Sequence, residues 1–131
     1  MTVRENLDVG GVTQPVSKAA RRIDDIYDLF PRLRERQMLA IGRALMSDPA
    51  FILLDEPSLG LAPLVTAQVY EVVKKIGHEL GIGSIVVEQN VELALSVASH
   101  GHVLERGRVA LAGTADALRH SPDLHAAYLG M

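Results

Sequence analysis

A chain of 131 residues, 48% hydrophobic and 22% charged, has the size and composition of one soluble globular domain able to bury a core. Its net charge of −3 supplies no field favouring nucleic acid or an anionic membrane, and aromatics at 4% without tryptophan argue against a base-stacking platform. Zero cysteines exclude disulfides and thiolate metal sites, no apolar run approaches the roughly 18–20 residues of a membrane span, and the opening MTVRENLDVG lacks the apolar segment of a signal peptide.

Thr2 and Glu5 have the spacing of a capping box, so a short helix is expected at once, ended by Gly10-Gly11. Ser17 can cap a second helix in which Ile23, Ile26, Tyr27 and Phe30 form one apolar stripe, with Pro31 at its limit. LRERQMLAIGRALM, from Leu33 to Met46, reads as one continuous helix stopped by Ser47-Asp48-Pro49. Phe51-Ile52-Leu53-Leu54 then suits a strand buried on both faces, as in a parallel sheet. That run ends in two acids, Asp55 and Glu56, followed by Pro57. Carboxylates at the carboxyl end of such a strand stand where open α/β sheets place ligands. One acid can hold a metal while its neighbour handles a proton, the division that phosphoryl transfer needs. Successive acids on an extended backbone point to opposite sides, so the two roles need not compete. The plainer alternative is a strand that ends in solvated charge.

Pro63 can open the next helix, whose apolar face is Val65, Val69, Val72, Ile76 and Leu80 and whose end is Gly81. Ile82 to Asn90, IGSIVVEQN, reads as a second buried strand with its polar groups at the carboxyl end. Asn90 is an N-cap for a helix through Leu93, Leu95 and Val97. His102 to Leu111 gives a hairpin around a Glu105–Arg108 turn, and Thr114 and Ser121-Pro122 start two terminal helices. His78, His100, His102, His120 and His125 read as surface or turn residues, with His100-Gly101-His102 the one conceivable metal pair. No repeat or linker is visible.

The stretch IGRALMSDPAFILLDEPSLGLAP resembles the Walker B region and D-loop of an ATP-binding cassette (ABC) ATPase. PSLGLAP followed later by VEQN looks like the ATPase subunit of branched-chain amino acid importers. The match runs from MTVRENL to the terminal AYLG, covering nearly the whole chain but only the later part of a full nucleotide-binding domain. It implies an α/β fold: a partial P-loop NTPase (ABC ATPase) domain with a mostly parallel sheet core, flanking helices and a C-terminal β-hairpin. Residues 1–46 would be a remnant of the helical subdomain that faces the membrane partner. Residues 47–131 would hold the Walker B, D-loop and switch part of the core and the C-terminal elements. By the same resemblance Asp55 would hold Mg²⁺ through water and Glu56 would polarise the attacking water. Ser58, Leu59, Gly60 and Leu61 would form the D-loop at the dimer interface. Gln89 stands where most ABC ATPases carry a switch histidine. An amide cannot take up a proton at neutral pH, so Gln89 is a positioner of phosphate or water. The implied cofactors are ATP and Mg²⁺. The implied partners are integral membrane permease subunits and a second ATPase subunit, on the cytoplasmic side of the plasma membrane.

Two departures qualify the resemblance. No G-x-x-x-x-G-K-[ST] loop exists, and none of Lys18, Lys74 and Lys75 follows a glycine-rich turn. No LSGGQ-like signature precedes the QMLAIGRAL helix, where Arg36 runs directly into Gln37. The expectation is a truncated and internally deleted ATPase subunit, not competent for hydrolysis alone, because the missing groups supply most of the charge stabilisation. A non-catalytic module docking on a permease or an intact ATPase subunit, or a subunit of a urea or amide importer, are the alternatives. A missing neighbour strand would leave the Ile85-Val86-Val87 edge open, to be repaired by the C-terminal hairpin or a partner strand, or else to limit solubility.

Overall fold

The computed structural model describes residues 2–29 and 36–126. The chain forms two compact units, residues 1–85 and 86–131.

In the first unit, α1 (Val3–Gly10) starts from the expected capping box. The Thr2 hydroxyl accepts from the Glu5 amide at 3.2 Å, and the Glu5 carboxylate accepts from the Thr2 amide at 2.8 Å. Helix α2 (Val16–Leu29) begins two residues earlier than Ser17 predicts. The Pro15 carbonyl accepts from the amides of Lys18 and Ala19, so Ser17 lies inside the first turn. Its buried stripe is Ile23, Ile26 and Leu29, while Tyr27 turns to solvent; Phe30 and Pro31 lie outside the described residues. Helix α3 (Arg36–Leu45) buries Met38, Ile41 and Leu45 and packs on α1; Leu33 to Glu35 of the expected helix lie outside the described residues.

Just past α3, Asp48 takes up the left-handed backbone region, with φ 56°. Both Lys18 and Arg22 of α2 donate to its carboxylate, tying α2 to the end of α3. The hydrogen bond from Lys18, followed by the Arg22 charge, holds the Asp48 carboxyl below its ordinary range.

Strand β1 (Phe51–Asp55), helix α4 (Pro63–Leu80) and strand β2 (Gly83–Val87) form a β–α–β unit in which β1 and β2 are parallel neighbours. Pro63 opens α4, and Gly81 closes it at φ 65° with its amide donating to Ile76. Val69, Tyr70, Val72, Val73 and Ile76 form its buried face.

The expectation that β1 is buried on both faces fails. Ile52 and Leu54 are 5% and 8% exposed, whereas Phe51 and Leu53 are 66% and 75% exposed. An unbroken apolar run signals two covered faces, yet here solvent reaches one of them. β2 is likewise shorter and more open than IGSIVVEQN predicts: it stops at Val87, and Ile85 and Val87 are exposed.

The second unit opens with α5 (Val91–Val97), capped by Asn90, whose Oδ1 accepts from the Leu93 amide at 3.1 Å. Strands β3 (His100–Glu105) and β4 (Arg108–Thr114) pair antiparallel, with a bulge between Val103 and Leu104. Arg106 (φ 48°) and Gly107 (φ 76°) are both left-handed, the backbone that a two-residue type I′ turn requires. This hairpin is its own two-stranded sheet, so of the three alternatives weighed for the β2 edge, repair by the hairpin is not the one taken. Helices α6 (Ala115–Arg119) and α7 (Pro122–Leu124) start at Thr114 and Ser121. Leu95, Ala115, Leu118 and Leu124 form the core of this unit, with Val91, Val103 and Leu111 packed against it. Among the described residues no helix is long and apolar enough to cross a membrane.

Candidate functional site

The candidate site is built where β1 ends. Asp55 is the last residue of the strand, with an exposed side chain. It continues the alternation of Phe51 and Leu53 and therefore belongs to the outward face. Glu56 leaves the strand at once, at φ 44° and half buried. A left-handed backbone costs a residue with a Cβ about 1–2 kcal/mol, and such strain collects at functional sites. The two acids are thus separated by a sharp change of backbone direction, not by strand alternation as the sequence suggested.

Pro57 is buried, and the chain then turns twice. The Leu59 amide donates to the Glu56 carbonyl at 3.0 Å, and the Leu61 amide donates to the Ser58 carbonyl at 3.1 Å. Gly60, at φ 74°, supplies the second turn. These turns leave Leu59 and Gly60 exposed, with Ser58 and Leu61 half buried, immediately before α4. The structure therefore brings Asp55, Glu56 and Ser58 to Leu61 together within the first unit. Gln89 belongs to the second unit, exposed between the end of β2 and the Asn90 cap.

One exposed carboxylate suits a magnesium ion that carries most of its ligands as water and phosphate oxygen. It does not make a freestanding metal centre. Among the described residues no group of three or more His, Cys, Asp or Glu side chains could hold a metal ion. A shallow groove of about 330 Å³ lies elsewhere, lined by Asp25, Asp28 and Leu29 of α2 and Lys75, Glu79 and Leu80 of α4. Three acids against one lysine make it a poor phosphate site.

Sequence reasoning missed two features. The Ser47-Asp48-Pro49 stretch read as a helix stop, although Lys18 and Arg22, four residues apart on one helix face, signalled a waiting anion. The outward apolar strip of β1 was hidden because a run without polar residues shows no alternation.

No family model matches the chain. It is 43% identical to the high-affinity branched-chain amino acid transport ATP-binding protein BraG of Pseudomonas aeruginosa, over 143 aligned positions covering 99% of this chain and 61% of BraG. It is 35% identical to the probable branched-chain amino acid transport ATP-binding protein LivF of Archaeoglobus fulgidus, covering 90% of this chain and 56% of that protein. Among solved structures, the ADP conformation of MJ1267, an ATP-binding cassette of an ABC transporter, superposes at TM-score 0.72 and 22% identity, covering all of this chain and 63% of MJ1267. The chain therefore spans about three fifths of the length of the relatives it matches. The BraG alignment is longer than the chain, 143 positions against 131 residues, so BraG carries residues with no counterpart here.

Proposed function

We propose that this chain, which belongs by sequence and by fold to the ATP-binding proteins of ABC transporters, is the carboxylate-bearing part of the energy-coupling subunit of a branched-chain amino acid importer. The observation that carries the reading is the Asp55–Glu56 pair at the carboxyl end of a parallel strand, in a chain 43% identical to BraG over 99% of its length. In this reading residues 1–46 belong to the helical subdomain and residues 47–131 to the nucleotide-facing core and C-terminal elements. Its partners are membrane permease subunits and a second ATP-binding subunit, at the inner face of the plasma membrane, and Ser58 to Leu61 lie at the contact with that second subunit.

Each residue has a distinct task. Asp55 would hold magnesium, its exposed carboxylate being the chain's contribution to the ion's surroundings. Magnesium, when bound with ATP, neutralises charge on the phosphate oxygens. Glu56 accepts a hydrogen bond from the attacking water and orients it. Gln89 is assigned from its residue type alone: an amide can donate to phosphate or accept from water, and it stays uncharged throughout. What the described residues do not offer is a phosphate cradle. The left-handed glycines Gly60, Gly81 and Gly107 are followed by Leu61, Ile82 and Arg108, not by a lysine on a helix N-terminus. The Arg36–Gln37 junction, where no glycine-rich signature stands, is where we place the BraG residues that have no counterpart. The isolated chain accordingly does not turn over ATP.

Two measurements test this. Purified chain incubated with magnesium-ATP should release no phosphate above buffer, and turnover abolished by Glu56→Gln would refute the claimed incompetence. In the source cell, deleting the gene should lower uptake of labelled leucine, isoleucine and valine. Unchanged uptake of all three sinks the solute assignment.

A further inference from the structure

The hairpin of the second unit presents two imidazoles on one open face. A Cβ on Gly101 would stand 2.7 Å from Cδ1 of Leu118 and 3.6 Å from Cδ2 of Leu95, so position 101 faces the core of this unit. Val103 packs against the same core, as does its cross-strand partner Leu111. Successive residues of a strand alternate between faces, so His100 and His102 share the opposite, outward face, and both are exposed. Their cross-strand partners are Thr114 and Ala112, too small to cover an imidazole. The Thr114 hydroxyl is already engaged, accepting from the Ala117 amide at 3.1 Å. The bulge falls between Val103 and Leu104, beyond the pair, so the pairing that carries the two histidines is regular.

Residues two apart on a strand have their backbones about 6.5 Å apart and their side chains parallel. Imidazole nitrogens bound to one ion at about 2.0–2.1 Å stand about 3 Å from each other, a convergence that two such rings can reach by side-chain rotation. His120 and His125 of the same unit are placed differently. Nδ1 of His120 lies 2.8 Å from the Asp116 carbonyl oxygen, and Nε2 of His125 lies 2.8 Å from that of Arg119, so each has a ring nitrogen committed to the backbone. The one hydrogen-bonding contact of the His100 ring, Nδ1 to the Ser99 hydroxyl at 3.5 Å, leaves its Nε2 open. Imidazole suits copper, nickel and zinc, whereas magnesium and calcium take oxygen. Two side chains do not enclose an ion, so water fills its remaining positions. We propose that His100 and His102 chelate one late first-row divalent cation on the outer face of β3, with copper(II) the tightest bound. The hairpin fixes both rings on one strand, so once the first has bound, the second is supplied at high effective concentration. The inference uses residues of the second unit alone and does not depend on the ATP-binding reading.

The test is titration of the untagged chain with copper(II) in a weakly coordinating buffer, followed by calorimetry. The expected result is one ion per chain, with affinity at least about tenfold lower in each of His100→Asn and His102→Asn, because each removes the chelate. His78→Asn, at an exposed position of α4, should leave the affinity unchanged. An affinity within about twofold of the parent in the double variant His100→Asn with His102→Asn overturns the proposal. Equal weakening by His78→Asn also overturns it, by showing that copper binds scattered imidazoles. One ion for every two chains, with a dimer in sedimentation, overturns it by giving the ion to histidines of two copies. A second measurement needs no variant: zinc added to the parent chain should shift the ring resonances of His100 and His102 in nuclear magnetic resonance spectra. Ring shifts confined to other histidines would refute the assignment even if a substituted chain failed to fold.

Discussion

Neighbouring leucines on β1 should differ sharply in what they contribute to stability. Leu54 is 8% exposed, and cutting it to alanine removes buried methyl groups from a packed layer, at a cost of about 2–5 kcal/mol. Leu53 is 75% exposed, so only about a quarter of its side chain is withdrawn from water. A quarter of the roughly 2 kcal/mol that full burial of a leucine contributes is about 0.5 kcal/mol. Urea unfolding of Leu53→Ala and Leu54→Ala, followed by far-ultraviolet circular dichroism, measures both. With a slope of about 1–3 kcal/mol per molar urea, the Leu54→Ala midpoint should fall by about one molar or more and the Leu53→Ala midpoint by a few tenths. Equal shifts would refute the one-sided burial of β1, because Leu53 would then be covered in solution. Repeating the measurement over a wide range of protein concentration identifies self-association as the cause or removes it.

Three further outcomes are expected. In Gly10→Ala the new Cβ would lie 2.4 Å from the Arg43 carbonyl oxygen and 2.7 Å from Arg43 Cγ, forcing α1 off α3; urea unfolding should show a loss of about 1–3 kcal/mol. Asp48 has a depressed carboxyl, so its folded form binds fewer protons than the unfolded chain in mild acid. Its contribution is present above the ordinary value of 3.8 and is lost as pH falls through the folded value, so melting temperatures measured in that range should depend less steeply on pH in Asp48→Asn. Asp55→Ala should change stability by no more than about 0.5 kcal/mol, since the side chain is exposed. Under the proposed function its effect should appear instead as weakened magnesium binding, read by titration calorimetry.

Local chemistry made the elements legible. The Thr2–Glu5 box, Pro63 and Gly81 around α4, Asn90 before α5 and the Arg106-Gly107 turn all act within a few residues, and each is where the sequence places it. Burial was less legible because it depends on neighbours distant in sequence. The run Phe51 to Leu54 carries the composition of a strand covered twice, and nothing within the run reveals that one cover is absent. Tyr27 shows the same limit on a helix: its spacing fits the stripe of Ile23 and Ile26, yet Leu29 takes the buried position instead. The acid pair was found from its residue types, but the turn that separates Asp55 from Glu56 rests on a left-handed glutamate, which propensity disfavours and sequence reasoning would not choose.

The placement of Asp55 joins packing to chemistry. Phe51, Leu53 and Asp55 alternate onto one face of β1, so a layer that covers the first two also withdraws water from the third. In the open chain the Asp55 carboxylate is solvated, and its attraction for a cation is weakened by the high dielectric of water. Once covered, the same carboxylate acts at lower dielectric, where an unpaired charge is costly and a magnesium–phosphate partner offsets that cost. Covering of this face by any layer and metal binding at Asp55 should therefore each strengthen the other by the same factor, as linkage requires. Asp55 stands in solvent beside an uncovered apolar strip, so a cation is held there more weakly than it would be under cover.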